Sequence, residues 1–331
     1  MGVGLALFTI LAVAAYLRFH HRKGPVDVAY AGDRQVTLWS TTAQVKSPVG
    51  KVNFGDRLDV LDRFEDEVNV RAPNGTTGWV NERELLSADL WQKAHDLEIR
   101  AAAMPVEAHG HTRVLANLRM DAGRDAPRIE QLRKDVALDV LARQVADVAA
   151  PNRTAGDDDN SAGPAQAKKE DWWLVRMQEQ DEGPLAGWLL GRFIDLDVPE
   201  PLPDYASSAG MRIVAWFDLN QVTATDGAAK TQYLLLTTRG PEGQPCDFGS
   251  LRVYTWGGQR NRYETAFVDG AVCGKLPVTL TRSQKSTGDL TFAFQDLSNG
   301  ATVERSYQMH QTIVRRVREP GEARTPKRTH P

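Results

Sequence analysis

The chain of 331 residues holds only two cysteines, Cys246 and Cys273. Two thiols exclude a disulfide-dense scaffold and a four-cysteine zinc site. Basic residues are not in excess either: the formal net charge is −3, where a dedicated nucleic-acid binder is normally basic. Nucleic acid is therefore not an expected partner. No Gly-x-Ser-x-Gly and no Ser-x-x-Lys occurs, which removes two common serine acyl-enzyme signatures. Ser-His-Gly-x-x-Cys is missing, and no Cys follows the small residues of the amino-terminal segment. Those absences exclude an L,D-transpeptidase motif and a lipid attachment point. Nothing in the pattern calls for a cofactor, and none is expected.

What is present begins with a repeat. Leu58-Asp59-Val60-Leu61-Asp62-Arg63 returns as Leu138-Asp139-Val140-Leu141-Ala142-Arg143. Val68-Asn69-Val70-Arg71 returns as Trp173-Leu174-Val175-Arg176, and Gly78-Trp79-Val80 as Gly187-Trp188-Leu189. Three blocks in one order make an internal repeat. The offsets grow from 80 to 105 to 109, so the second copy carries insertions.

Residues 1–23 are read as a membrane anchor or signal segment. Val3 to Leu17 is almost continuously apolar and is followed by Arg18, His20, His21, Arg22 and Lys23. With Met1 and Gly2 the run is 17 long, at the short limit for a bilayer span, ~17–25 residues. A cleaved signal and an uncleaved anchor compete. The basic flank, taken alone, favours a cytoplasmic side.

Residues 24–86 form the first copy. Gln35 to Trp39 alternates as a half-buried strand does. Gly55-Asp56 and Pro73-Asn74-Gly75 are turns, the second of a kind that favours positive φ. Five strands in so short a segment suggest a small closed barrel. Residues 87–112 are expected to be a helical linker: Ser87 is an N-cap candidate, and Leu90, Ala94, Leu97 and Ala101 share one face. His109-Gly110-His111 offers two of the three or four ligands that zinc requires; no metal is assigned, and the triplet is read as linker.

Residues 113–198 form the second copy, interrupted at 149–170 by a polar stretch containing Asp157-Asp158-Asp159. Its composition does not support order. An EF-hand loop from Asp157 would need Gly and Glu where Ala162 and Lys168 stand. Trp172 and Trp173 lie on opposite faces of one strand. Trp79 and Trp188 are expected in cores. Residues 205–318 show some eight strands and suggest a β-sandwich or open barrel, and residues 319–331 a disordered tail.

Gly-Asp-x-Leu-x-Val-Leu, Val-x-Val-Arg and Asn-Gly-x-x-Gly-Trp-Val together resemble the bacterial SH3 (SH3b) family. Asn117-Leu118-Arg119 resembles the opening of such domains. The resemblance implies two small SH3-like barrels; with the apolar start read as a helix and the strands of the last region, the expected fold is a mainly β chain with an amino-terminal apolar helix, two barrels and a further β-domain. The resemblance also implies a non-catalytic, membrane-tethered envelope protein, its domains outside the cytoplasm, binding cell-wall peptide or an envelope protein. Exposed aromatics would carry that contact, Trp172 first and Trp39 second. Two alternatives stand beside it. One is an envelope hydrolase using Cys246 and His310, although Pro245-Cys246-Asp247 lacks the order of an NlpC/P60 cysteine motif. The other is a cytoplasmic-facing regulatory scaffold. In an oxidising compartment Cys246 and Cys273 are candidates for one disulfide.

Overall fold

A computed structural model describes residues 25–148, 168–177, 185–283, 289–298 and 300–318. The apolar segment 1–23, most of the 149–170 insertion and the tail 319–331 lie outside the described residues. The chain divides into two compact units, Met1–Leu97 with Arg128–Gln131, and Glu98–Pro127 with Leu132–Pro331.

The fold is mainly β, with several antiparallel sheets and, among the described residues, two α-helices. Seven strands make the first sheet: β1 (Asp27–Ala31), β2 (Gln35–Trp39), β3 (Pro48–Asn53), β4 (Arg57–Phe64), β5 (Glu67–Arg71), β6 (Thr77–Asn81) and β7 (Leu85–Ser87). Seven make the second: β8 (Ala108–Thr112), β9 (Ala116–Arg119), β10 (Arg128–Leu132), β11 (Ala137–Asp147), β12 (Lys169–Met177), β13 (Ala186–Leu190) and β14 (Ile194–Leu196). Their orders are β3-β2-β6-β5-β4-β1-β7 and β10-β9-β13-β12-β11-β8-β14. Each strand of the first has its counterpart seven strands later. The repeated sequence blocks thus fold into repeated topology. Among the described residues the two outermost strands of each sheet are not paired with each other, so open seven-stranded sheets stand where closed barrels were expected.

The repeat has physical content at four positions. Leu58 and Val60 are fully buried, as are Leu138 and Val140 within 1%. The β4–β5 register shifts between Val60 and Asp62, and the β11–β12 register between Val140 and Ala142. A bulge of this kind bends the strand and strengthens its twist. Asp59 faces Arg71 across the first pair and Asp139 faces Arg176 across the second, each as an ion pair, at 3.4 and 2.6 Å. Glycine recurs before tryptophan for a packing reason. A Cβ on Gly78 would meet the Leu38 Cβ at 2.8 Å, and one on Gly187 the Leu118 Cγ at 2.6 Å. That alternation turns Trp79 and Trp188 outward. Both are half-buried rather than core, because Gly and the following Val or Leu occupy the inward positions.

Helix α1 (Ala88–Ala102) opens with the Ser87 hydroxyl accepting from the Leu90 amide at 3.2 Å. Ala94, Leu97 and Ala101 are buried along one face. Trp91 stacks on Tyr30 at 4.9 Å between centroids and covers Gly55, whose φ of +80° fits a residue without Cβ. His109-Gly110-His111 is strand, not linker. Ala108, Gly110 and Thr112 point inward, and a Cβ on Gly110 would collide with the Asp195 carbonyl at 2.4 Å.

The second unit continues through helix α2 (Leu202–Ser208) into two four-stranded sheets. One holds β15 (Arg212–Thr223), β16 (Ala229–Thr238), β17 (Ser250–Gly257) and β18 (Arg262–Asp269). The other holds β19 (Gly274–Arg282), β20 (Asp289–Asp296), β21 (Val303–His310) and β22 (Ile313–Val317). Leu234, Leu236 and Val253 from the first meet Phe292, Phe294 and Tyr307 from the second in one apolar core. Helix α2 carries Pro203 in its first turn. Proline is tolerated in a first helical turn, and Leu202 and Ala206 are buried against Met211, Leu235 and Tyr254.

Candidate functional site

The second unit holds a cleft of about 350 Å³. Its size falls at the lower end of small-ligand pockets. Strand β12 supplies Asp171 and Trp173, β11 Val140 and Arg143, β15 Arg212 and Val214, and the β16–β17 loop Glu242, Gln244 and Asp247. Arg192, Asp195 and Leu196 complete the rim near β14.

One wall is fixed by a buried ion network. The Arg143 side chain is 3% exposed. It donates to Asp171 at 2.5 Å and Asp247 at 3.0 Å, and also to the carbonyls of Gln244 and Cys246 at 3.0 and 3.1 Å. Asp171 accepts further from the Gly243 amide at 2.8 Å and from Arg212 at 3.3 Å. Asp247 accepts from Lys275 at 2.7 Å and from the Leu276 amide at 2.9 Å. Buried charges persist only when paired and hydrogen-bonded in this way. Beside it, Cys246 and Cys273 form a disulfide with Cα atoms 4.8 Å apart. The loop that carries Glu242 and Gln244 is thereby tied at both its backbone and its sulfur.

Adjacent on β12, Glu170 is held by Arg124 at 2.6 and 2.8 Å and by Arg192. The Arg124 hydrogen bond, with Arg192 helping and burial opposing, brings its carboxyl down to about 2. The polar stretch assigned to 149–170 therefore ends earlier: Lys169 and Glu170 belong to β12, where Lys169 faces Asp147 and Glu170 faces Ala146. Glu107 is the opposite case. It is 1% exposed, with one oxygen accepting from the Val278 amide at 3.1 Å and the other without a partner. Burial, reinforced by Asp247 and opposed by that amide, raises its carboxyl to about 7.

The residues singled out from sequence lie elsewhere or play other parts. Trp172 is 3% exposed, so it is no contact surface. Its strand neighbour Trp173 is the one that reaches both the cleft and the core between the last two sheets. Trp39 is half-buried, with the Lys46 amine 5.2 Å from its ring centroid. His109 and His111 bond Asp139 and Asp197 at 3.0 and 2.7 Å. Among the described residues no group of three or more metal-ligating side chains converges. His310 bonds Asp289 at the end of β21. Both cysteine sulfurs are in the disulfide, so a Cys246 nucleophile would require its reduction. The network itself was half visible: Arg143 ends a repeat block, but its partner Asp247 lies 104 residues on.

No protein-family model matches the chain, and no curated protein matches it. Solved structures that match include an NlpC/P60 family protein from Bacillus cereus, 12% identical, covering 72% of this chain and 93% of that one, with a TM-score of 0.23. NlpC2 from Trichomonas vaginalis is 10% identical, covers 86% and 97%, and has a TM-score of 0.18. NlpC1 from the same organism is 8% identical, covers 86% and 92%, and has a TM-score of 0.17. Likenesses this weak carry no reaction over to this chain. No family model matches, that of SH3b included, and the resemblance to SH3b is withdrawn. The non-catalytic reading rested on that resemblance and goes with it, as does the expectation that the chain is not an enzyme; the membrane anchor expected at residues 1–23 lies outside the described residues. Among the described residues no helix is long and apolar enough to cross a membrane.

Proposed function

We propose that this chain is a cell-envelope protein that holds a small ligand in the cleft of its second unit. The observation that carries the reading is a preformed cavity with a fixed wall. The Arg143 network and the Cys246–Cys273 disulfide pin the β16–β17 loop in place, so the cleft needs little ordering when it is filled. The disulfide also supports an oxidising compartment, outside the cytoplasm. Trp173 and Val214 give the cavity apolar wall, and its arginines give it polar anchors, the mixture that small-ligand sites share.

Two experiments test this. A carboxyl-terminal alkaline phosphatase fusion should be active, and an inactive fusion would place the domains in the cytoplasm. Soluble peptide fragments of a cell wall, titrated into the full chain by calorimetry, should bind. Leu196→Trp, which fills the cleft, should abolish that binding; unchanged binding would remove the cleft from the reading. Chromatography of the same mixtures, with and without a thiol reductant, tells binding from cleavage. New fragments appearing only with reductant would favour a hydrolase acting through Cys246.

A further inference from the structure

Glu170 and Asp171 together serve four guanidinium groups. Both oxygens of Glu170 are already bonded by Arg124, and Arg192 is a second partner on one of them. Asp171 gives one oxygen to Arg143 and the Gly243 amide, and Arg212 takes the other at 3.3 Å. Arg192 and Arg212 both line the cleft, and their side chains are 36% and 50% exposed. Each makes one such contact from a group with five donors. The cluster as a whole sets five cations, Arg124, Arg143, Arg192, Arg212 and Lys275, against three anions, Glu170, Asp171 and Asp247. Glu242 adds a fourth carboxylate to the lining, and Arg113 and Asp195 cancel each other. Within this set, and with Glu107 beside Asp247 protonated, the cations exceed the anions by one.

We propose that Arg192 and Arg212 receive a single carboxylate of the cleft's ligand, and that an apolar group next to that carboxylate lies on Trp173. The inference rests on the cleft being the binding site and adds the chemical class that it takes. Guanidinium groups suit a planar carboxylate because their donors match its two oxygens. One surplus charge fits a monoanion. Glu242 repels anything more highly charged, which separates a carboxylate from inorganic phosphate.

The test uses the full chain and three probes: N-acetylphenylalanine, its carboxamide and inorganic phosphate. The acid is expected to bind at least tenfold more tightly than either of the others. Arg192→Gln and Arg212→Gln should each weaken the acid about tenfold and leave the amide unchanged, since a charge-assisted hydrogen bond is worth roughly one such factor. Arg212→Lys, with charge but no fork, should fall between; circular dichroism confirms that each variant is folded. Equal affinity for acid and amide, both lost in Leu196→Trp, would overturn the carboxylate assignment and keep the cleft. Tightest binding by phosphate, or no binding of the acid while wall fragments still occupy the cleft, would overturn it too. Wall fragments that bind regardless of Leu196→Trp would sink both readings together.

Discussion

Arg143 and Asp171 form a buried ion pair, 2.5 Å apart, between neighbouring strands of the second sheet. Its counterpart in the first copy is Arg63, which is 47% exposed and reaches Asp27 and Glu82 at the surface. One repeated arginine has thus taken two fates. In the second copy a later part of the chain, Asp247, completes its partners and excludes water. Breaking one side of such a pair strands the other charge, at a cost of about 3–5 kcal/mol. Arg143→Ala should lower the unfolding free energy by roughly that amount in urea, whereas Arg63→Ala should cost about 1 kcal/mol or less. A loss for Arg143→Ala no greater than that for Arg63→Ala would show that the network is not closed to solvent.

Glu107 sets a pH dependence. Its carboxyl is neutral in the folded chain up to about 7, against 4.5 for an unperturbed glutamate. Below 4.5 both states are protonated and the full stability is present. As pH rises toward and through 7, the unfolded chain has released its proton and the folded one must do so in a buried place, so stability falls. The difference amounts to about 3 kcal/mol. Asp247, with Arg143 and Lys275 bound to it, is the charged group that faces Glu107 and sharpens the effect. Glu107→Gln should flatten denaturation midpoints between pH 5 and 8 and raise the midpoint at pH 8. An unaltered slope would mean that Glu107 is ionised in the native state.

Much of this architecture was legible before any coordinates. Repeated Leu-Asp-Val-Leu blocks marked two related sheets because inward residues recur at every second position, and Asp59 and Asp139 recur because each faces an arginine. Ser87 announced its helix by capping it. Trp172 is buried where exposure is expected of it because two adjacent tryptophans differ in face, and sequence alone does not say that both faces of β12 are covered. The cleft was not legible at all. Its charged residues come from β11, β12, β15 and a loop more than 100 residues from Arg143, and only tertiary structure brings them together.

Gly243 approaches β12 with no room for a side chain. A Cβ there would lie 2.3 Å from the Lys169 Cβ, and its φ is +83°. Gly240 has the same backbone hand, φ +90°, but open space around it. Gly240→Ala should therefore cost about 1 kcal/mol for conformation alone. Gly243→Ala should cost more and should weaken ligand capture as well, because it moves the amide that Asp171 accepts from. Equal melting temperatures for the two variants would contradict the close approach.

The disulfide closes a loop of 27 residues. By chain entropy alone such a link contributes about 3–4 kcal/mol. Cys246→Ser with Cys273→Ser should lose roughly that much, and the loss should be matched by reductant in the unmutated chain. The effect should extend to the cleft, since Cys246 offers its carbonyl to Arg143 and the Cys273 amide donates to Asp296 at 2.8 Å. Alkylation of the unreduced protein with iodoacetamide, read by mass spectrometry, should add no label under native conditions. Full labelling without reductant, in protein taken from the envelope, would mean that the thiols are free there. The oxidising-compartment argument would then fail along with the predicted stability gain.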